Sequence, residues 1–310
     1  MPQFLAAMTV SRHMPTITAL TLYPVKSCAG IALDAAEVAA TGLRFGGIHD
    51  REWMIVDAAG QFLTQRELPQ MATIRPILED NQYLLLQAPN IAPLRLNIDA
   101  SRTPATIFSK RQVQVWDDVL MADSCGTEAD DWCTRVLGVA CHLVRFDPNV
   151  QRPRESQWLP GATLTTLFSD GFPMLLVSTA SLADLNQKLV LRGNHAVPMD
   201  RFRPNIVIDG VDAFEEDYAE SLTVITSQKN SPLVQQGIIL KPVKPCPRCP
   251  IPAVNQLTGL IESNPVDTLQ TYHTHARLEN AATFGMNTIV VQGQNRLIRV
   301  GDKVTLQIAF

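Results

Sequence analysis

The sequence predicts an α+β, β-rich fold: a small antiparallel barrel or sandwich in its first part, then strands flanked by a few helices. Three observations carry this. From Ile17 to about Trp116 the chain is a series of short β-type runs cut by Gly, Pro and Asn, the pattern of closely spaced strands. Helical periodicity first appears over Asp123–Leu137 and returns over Ser181–Leu189. Strand-type runs then resume after Arg203 and continue to the end of the chain.

Residues 1–16 stand as an N-terminal extension, because strand character begins only in the run around Ile17, Leu20 and Leu22. Thr18–Tyr23, Glu52–Val56 and Tyr83–Leu86 read as strands, with turns at Ala59-Gly60 and Asp80-Asn81. The first helix places Ala129, Trp132, Cys133, Val136 and Leu137 on one face. Met174–Val177 is an apolar run of buried-strand type. The second helix carries Leu182, Leu185 and Leu189 at helical spacing, and Thr179 or Ser181 is its expected cap. Asn205–Asp209, Leu222–Ile225, Gly237–Leu240, Thr288–Val291 and Val304–Ile308 are the remaining strands, with turns at Gly293 and Gly301-Asp302. A domain boundary is expected between about 116 and 128, which divides the chain into 17–122 and 123–310.

The chain has 310 residues, 46% hydrophobic and 18% charged, enough to bury a substantial core. Its net charge of -4, with no Lys/Arg run interleaved with aromatics, argues against a nucleic-acid polymer as partner. No segment approaches the roughly 20 apolar residues of a membrane span. Met1–Val10 lacks the positive charge that opens a secretory signal, so a cytoplasmic protein with no membrane partner is expected. The six cysteines are then expected to be reduced, with Cys133 and Cys141 as small core residues.

The most informative stretch is Lys241-Pro242-Val243-Lys244-Pro245-Cys246-Pro247-Arg248-Cys249-Pro250. Its prolines are expected to keep both helix and inner strand out, leaving a rigid exposed turn that presents two thiols beside an arginine. Such a turn suits a soft metal or a reactive sulfur. A thioredoxin-type site is disfavoured because no helix pattern follows Pro250. A zinc site completed by His273 and His275 stays open. Lys26-Ser27, Arg51 and Arg203 each stand beside a strand end, where cations and backbone N–H groups form anion sites. The bland alternative for Arg51 is an ion pair with Asp50 or Glu52. Asp170 sits in a turn that feeds the Met174–Val177 run, and its bland alternative is a bond to its own backbone. Glu215-Glu216-Asp217 reads as a solvated loop, and the histidines show no partner pattern.

Taken together, Leu22-Tyr23-Pro24-Val25-Lys26-Ser27, Asp50-Arg51-Glu52-Trp53, Thr64-Gln65-Arg66, Phe202-Arg203-Pro204-Asn205 and Cys246-Pro247-Arg248-Cys249 followed by Thr258-Gly259 resemble the MOSC family. The likeness is to the branch with a MOSC N-terminal β-barrel domain, which includes the mitochondrial amidoxime-reducing component and bacterial reductases of N-hydroxylated bases. The resemblance implies an N-terminal β-barrel-like domain plus a MOSC β-barrel domain with a few flanking helices. It also implies a molybdenum cofactor (Mo-molybdopterin), with Cys249 as the metal ligand and Cys246 outside the ligand set. By motif position Lys26, Ser27, Arg51, Arg203, Asn205, Pro247 and Arg248 match cofactor-binding residues.

The implied activity is reduction of a small N-hydroxylated substrate to the amine, with Cys249 and Asp170 as the catalytic residues and Asp170 as proton donor. Electrons would come from a separate electron-transfer protein: a ferredoxin, a flavodoxin or a similar reductase. Where mitochondrial members have a hydroxyl residue just after the aspartate, this chain has Gly171-Phe172, so a pterin contact there would use backbone N–H groups. Asn255 stands where some relatives have an acid. Neither the membrane anchor of the mitochondrial members nor a C-terminal ferredoxin domain is expected here. Cofactor sulfurases that contain MOSC domains motivate the alternative of a sulfur carrier with a persulfide on Cys249, and a zinc-stapled binding module is the third reading.

Overall fold

The computed structural model describes residues 14–99, 109–225 and 237–309. Its centre is a closed barrel of seven strands. Met174–Ser178 pairs in parallel with Ile206–Asp209, which pairs antiparallel with Thr16–Leu22. The circuit continues through Lys303–Ile308, Ala219–Ile225, Ile238–Pro247 and Ala281–Gln292, which closes back onto Met174–Ser178. The single parallel pair needs a crossover, and the helix Thr179–Leu191 starts it. That helix is capped by Ser178, whose side chain accepts from Ser181 N, so the cap lies just before the two residues expected for it. Alternate residues of the strands, among them Leu20, Leu22, Ile206, Ile208, Leu222, Val224 and Leu240, fill the barrel.

The first part of the chain forms smaller sheets around this barrel. Lys110–Val115, Asp118–Ser124, Cys141–Phe146 and Trp53–Asp57 make an antiparallel four-stranded sheet. Arg75–Glu79, Tyr83–Ala88 and Ile91–Asn97 make a three-stranded one. The expected helix is present but starts at Thr127 rather than Asp123, because Asp118–Ser124 is held in strand pairing and Gly126 (φ 91) breaks the chain before the first turn. Cys133 and Cys141 are buried, as their neighbours implied.

Pairing interleaves the two parts. Cys141–Phe146, beyond the expected division at 122/123, returns to pair with Trp53–Asp57. Arg296–Arg299 pairs with Ala35–Ala39, and Thr16–Leu22 is a stave of the later barrel. The expected extension lies outside the described residues up to residue 13, and its last residue, Thr16, already belongs to the barrel strand. Among the described residues no helix is long and apolar enough to cross a membrane.

The proline-rich stretch departs from expectation. A strand does run through it, to Pro247, paired with Ala281–Gln292. Its second neighbour, Ala219–Ile225, reaches only to Leu240, so the prolines fall where the strand has become an edge. The register also shifts at Pro242/Lys244 and Pro245/Pro247. An edge with bulges tolerates residues that have no N–H to donate. Cys246 therefore lies on the last residues of a strand, and Cys249 in the turn beyond it.

Candidate functional site

The residues matched to cofactor binding and catalysis converge, while His273, His275 and Asn255 lie outside their cavity. Lys26, Ser27, Arg51, Asp170, Gly171, Phe172, Arg203, Asn205, Pro247, Arg248 and Cys249 line one cavity of about 160 Å³ at the end of the barrel. A larger cavity of about 440 Å³ lies against Trp53, Leu94 and Arg145 and contains none of them. Size does not decide between the two; the donor set does. The smaller cavity is lined by five cations (Lys26, Arg51, Arg66, Arg203, Arg248) and a single carboxylate, Asp170. That excess of positive charge is built for an anion.

The cations are held from behind. Arg51 and Arg203 both take left-handed backbone (φ 50 and 57), and both guanidinium groups lie 4.3 Å from the ring centre of Tyr23. Arg51 pairs with Asp50, a fully buried carboxylate, so its ion pair is not the weak exposed kind. Burial pushes the Asp50 carboxyl up, against the pull of Arg51 and of the Tyr23 N–H. Asn205 lines the cavity with its hydrogen-bonding capacity already committed. Its Oδ1 accepts from Leu175 N (3.1 Å) and Arg51 Nη1 (3.2 Å), and its Nδ2 donates to Thr21 O (3.1 Å) and Asp50 Oδ1 (2.9 Å). It therefore positions Arg51.

The two thiols differ. Cys246 Sγ accepts from Arg248 Nη1 at 3.2 Å, while Arg248 Nη2 donates to Phe202 O at 3.0 Å. Cys249 Sγ has no hydrogen-bond partner among the described residues, and the residue is half-buried in the cavity wall. The turn that carries it is pinned by Arg201, which donates to Pro252 O (3.1 Å) and Ala253 O (3.0 Å) and pairs with Glu262.

Lys26 Nζ donates to Phe168 O at 2.8 Å and to Asp170 Oδ1 at 2.5 Å. Trp116 Nε1 donates to the same carboxylate oxygen at 2.9 Å. Burial works to raise the Asp170 carboxyl, but Lys26, Trp116 and Arg51 prevail and hold it well below the usual carboxylate range. In this arrangement Asp170 accepts from Lys26 and Trp116, so the expected role of proton donor would call for a change in that pairing. The proton of this pair sits on Lys26 Nζ, whose pKa burial lowers against the pull of Asp170.

Several contributors carried no clear sequence signal. Arg152, buried, donates to Leu167 O (2.7 Å) and Ser169 O (2.6 Å) and fixes the loop that bears Asp170. Gln256 is another: it bonds side chain to side chain with Gln65 and ties Thr64-Gln65-Arg66 to the turn after Cys249. The acidic cluster and His273 also differ from expectation. Glu216 is fully buried, accepting from Ser178 N (2.9 Å) and Ser181 Oγ (2.7 Å), and Asp217 lies 3.1 Å from His273 Nε2. Helix entry and a strand end meet there, so these acids serve packing and not solvation. Among the described residues no group of three or more His, Cys, Asp or Glu is placed to hold a metal by itself.

The cavity fits an anionic occupant on its own chemistry. Ser169 Oγ, Arg203 Nη2 and Arg248 Nε are buried polar atoms of lining residues without partners among the described residues, groups that fold at a cost unless something fills their hydrogen bonds. A Cβ built on Gly171 would meet nothing within 4 Å, so that backbone is open to the cavity.

Residues 14–140 match the MOSC N-terminal beta barrel domain, and residues 163–305 match the MOSC domain. The chain is 33% identical over 268 residues to the mitochondrial amidoxime reducing component 2 of Bos taurus, spanning 84% of this chain and 73% of that protein. It is 33% identical over 303 residues to the mitochondrial amidoxime-reducing component 1 of Homo sapiens, spanning 95% of this chain and 84% of that protein.

Proposed function

Because the chain belongs to the family that joins a MOSC N-terminal β-barrel domain to a MOSC domain, we propose that it is a molybdenum-cofactor oxidoreductase that reduces N-hydroxylated compounds to amines. The supporting observation is the contrast between the two thiols: Cys246 engaged by Arg248, Cys249 free in a wall of cations and unpartnered donors. The Cys249 thiolate would ligate the metal. Lys26, Ser27, Arg51, Arg203 and Arg248, with the backbone of Gly171, Phe172 and Pro247, would hold the pterin and its phosphate. When bound, the cofactor supplies the two-electron redox chemistry of N–O cleavage.

The overall change is R–NH–OH plus two electrons and two protons to R–NH₂ plus water. Lys26 Nζ holds a proton within the cavity, and Asp170 keeps that ammonium aimed at the site. Asn205 and Asp50 orient Arg51, and Arg152 orients the Asp170 loop. The electrons come from a separate ferredoxin, flavodoxin or similar protein, and the reading places the enzyme in the cytoplasm.

A free thiol beside cations also suits a persulfide carrier, which elemental analysis separates from the reductase. The purified protein is expected to hold about one molybdenum per chain, where zinc would indicate a stapled module and neither metal a carrier. With molybdenum bound, 6-hydroxylaminopurine and benzamidoxime are expected to be reduced by an artificial electron donor. Background rates at full occupancy would refute the proposal.

A further inference from the structure

The hairpin between Lys110–Val115 and Asp118–Ser124 turns in two residues, and the first of them, Trp116, takes φ 55. Gly or Asn normally fills such a position, and a bulky side chain there is uncommon. Closing a hairpin does not call for an indole. The residue is nonetheless 38% exposed, and its ring is fastened on several sides. It packs on Phe62 with ring centres 5.2 Å apart, and Arg66 lies 5.0 Å from its centre. Its Nε1 holds Asp170 Oδ1, and Gln114 Nε2 donates to its carbonyl oxygen at 2.9 Å. Arg66 and Asp170 both line the cavity that contains Cys249, so the indole stands at the rim of that cavity.

Asp170 adds a second element. Its Oδ1 receives both Lys26 and Trp116, while Oδ2 has no partner among the described residues and the side chain is 67% exposed. The rim thus presents a flat aromatic surface, a planar guanidinium and an open carboxylate oxygen. A flat conjugated ligand stacks on the first two, and an N–H group conjugated to it donates to the third. An aliphatic hydroxylamine has no flat face to offer.

We propose that Trp116, with Arg66 and Asp170 Oδ2, determines substrate specificity by selecting planar, conjugated N-hydroxylated amidines and aminopurines over aliphatic hydroxylamines. This rests on the reductase reading. The test compares the wild type, Trp116→Asn, which keeps a residue suited to the left-handed turn, and Trp116→Phe, which keeps a flat face without the N–H. The kcat/KM ratio of benzamidoxime to N-methylhydroxylamine is expected to fall about tenfold in Trp116→Asn, carried by KM, and to recover most of that loss in Trp116→Phe.

Calorimetric affinity for benzamidine, the reduced product, is expected to fall about tenfold in Trp116→Asn as well. An unchanged ratio, or an equal loss for both substrates, overturns the inference. If the wild type reduces neither substrate, the reductase reading fails by itself. Benzamidine affinity then still decides the role of the rim, and equal binding to wild type and Trp116→Asn refutes it.

Discussion

Replacing Arg152 with methionine tests how firmly the site depends on the loop behind it. Arg152 is 3% exposed, and its Nη1 donates to two main-chain carbonyls of the Asp170 loop, Leu167 O at 2.7 Å and Ser169 O at 2.6 Å. Its Nε also donates to Asp118 Oδ2 at 2.7 Å, an acceptor that Arg154 continues to serve after the substitution. Bonds from a charged donor contribute about 1.5–3 kcal/mol each. A buried methionine recovers about 1–2 kcal/mol of apolar burial and removes the desolvation of the guanidinium. The net loss is then about 2–4 kcal/mol, or roughly 3–6 °C in Tm for a chain of this size. Freed carbonyls also let Asp170 drift from Lys26, and misplacement of that order lowers kcat/KM by about tenfold or more. Denaturant unfolding and benzamidoxime reduction measure the two effects. A loss below about 1 kcal/mol with activity intact would show that the loop is held by something other than Arg152.

Cys249→Ser is expected to abolish reduction and molybdenum retention while leaving the unfolding midpoint in place, and Cys246→Ser to keep most of both; equal losses on metal analysis would point to a shared metal instead. The depressed Asp170 carboxyl contributes stability above its unfolded value of 3.8, and that contribution disappears as pH falls through its folded value. Since the side chain is largely open to water, the advantage of wild type over Asp170→Asn is expected to be below about 1 kcal/mol, flat from neutral pH to about 5, and smaller below about 4. Burial lowers the His273 pKa, but Asp217 and the Thr283 carbonyl raise it further, to a net value above 6.5. Its contribution is therefore complete below 6.5 and is lost as pH rises through the folded value. Unfolding of wild type against Asp217→Asn across that window should show the two converge at the alkaline end, and a gap that widens with pH would contradict the pairing.

How far the site could be read from the sequence follows from where its contacts lie. Lys26, Arg51, Arg203 and Cys249 each stand in a short motif beside a strand end, and local grammar is enough to flag them. Asn205 was flagged by the same motif, yet its partners, Thr21, Asp50 and Leu175, are distant in the chain, so its task of holding Arg51 became visible only in three dimensions. Arg152 and Trp116 act across long sequence separations on the Asp170 loop, and nothing beside them announces it. Glu216 looked solvated because it sits in an acidic run, whereas its burial depends on Ser178 and Ser181 from a distant helix start.

The fold was legible in kind, since alternation and turn residues mark strands one by one. Closure of the barrel was not, because it depends on pairings between strands far apart. The proline-rich strand was misjudged for a related reason: whether a strand is inner or edge is a property of its neighbours, and here one neighbour stops at Leu240.

Because Lys303–Ile308 stands between Thr16–Leu22 and Ala219–Ile225, the barrel cannot close until residues 303–308 have been synthesised. Until Ile206–Asp209 emerges, Thr16–Leu22 has only the short strand Ile31–Leu33 to pair with, so closure of the barrel comes late. Cutting the molecule between its two family-matched regions would leave each piece with a missing strand, and the released edges would invite partners from other molecules.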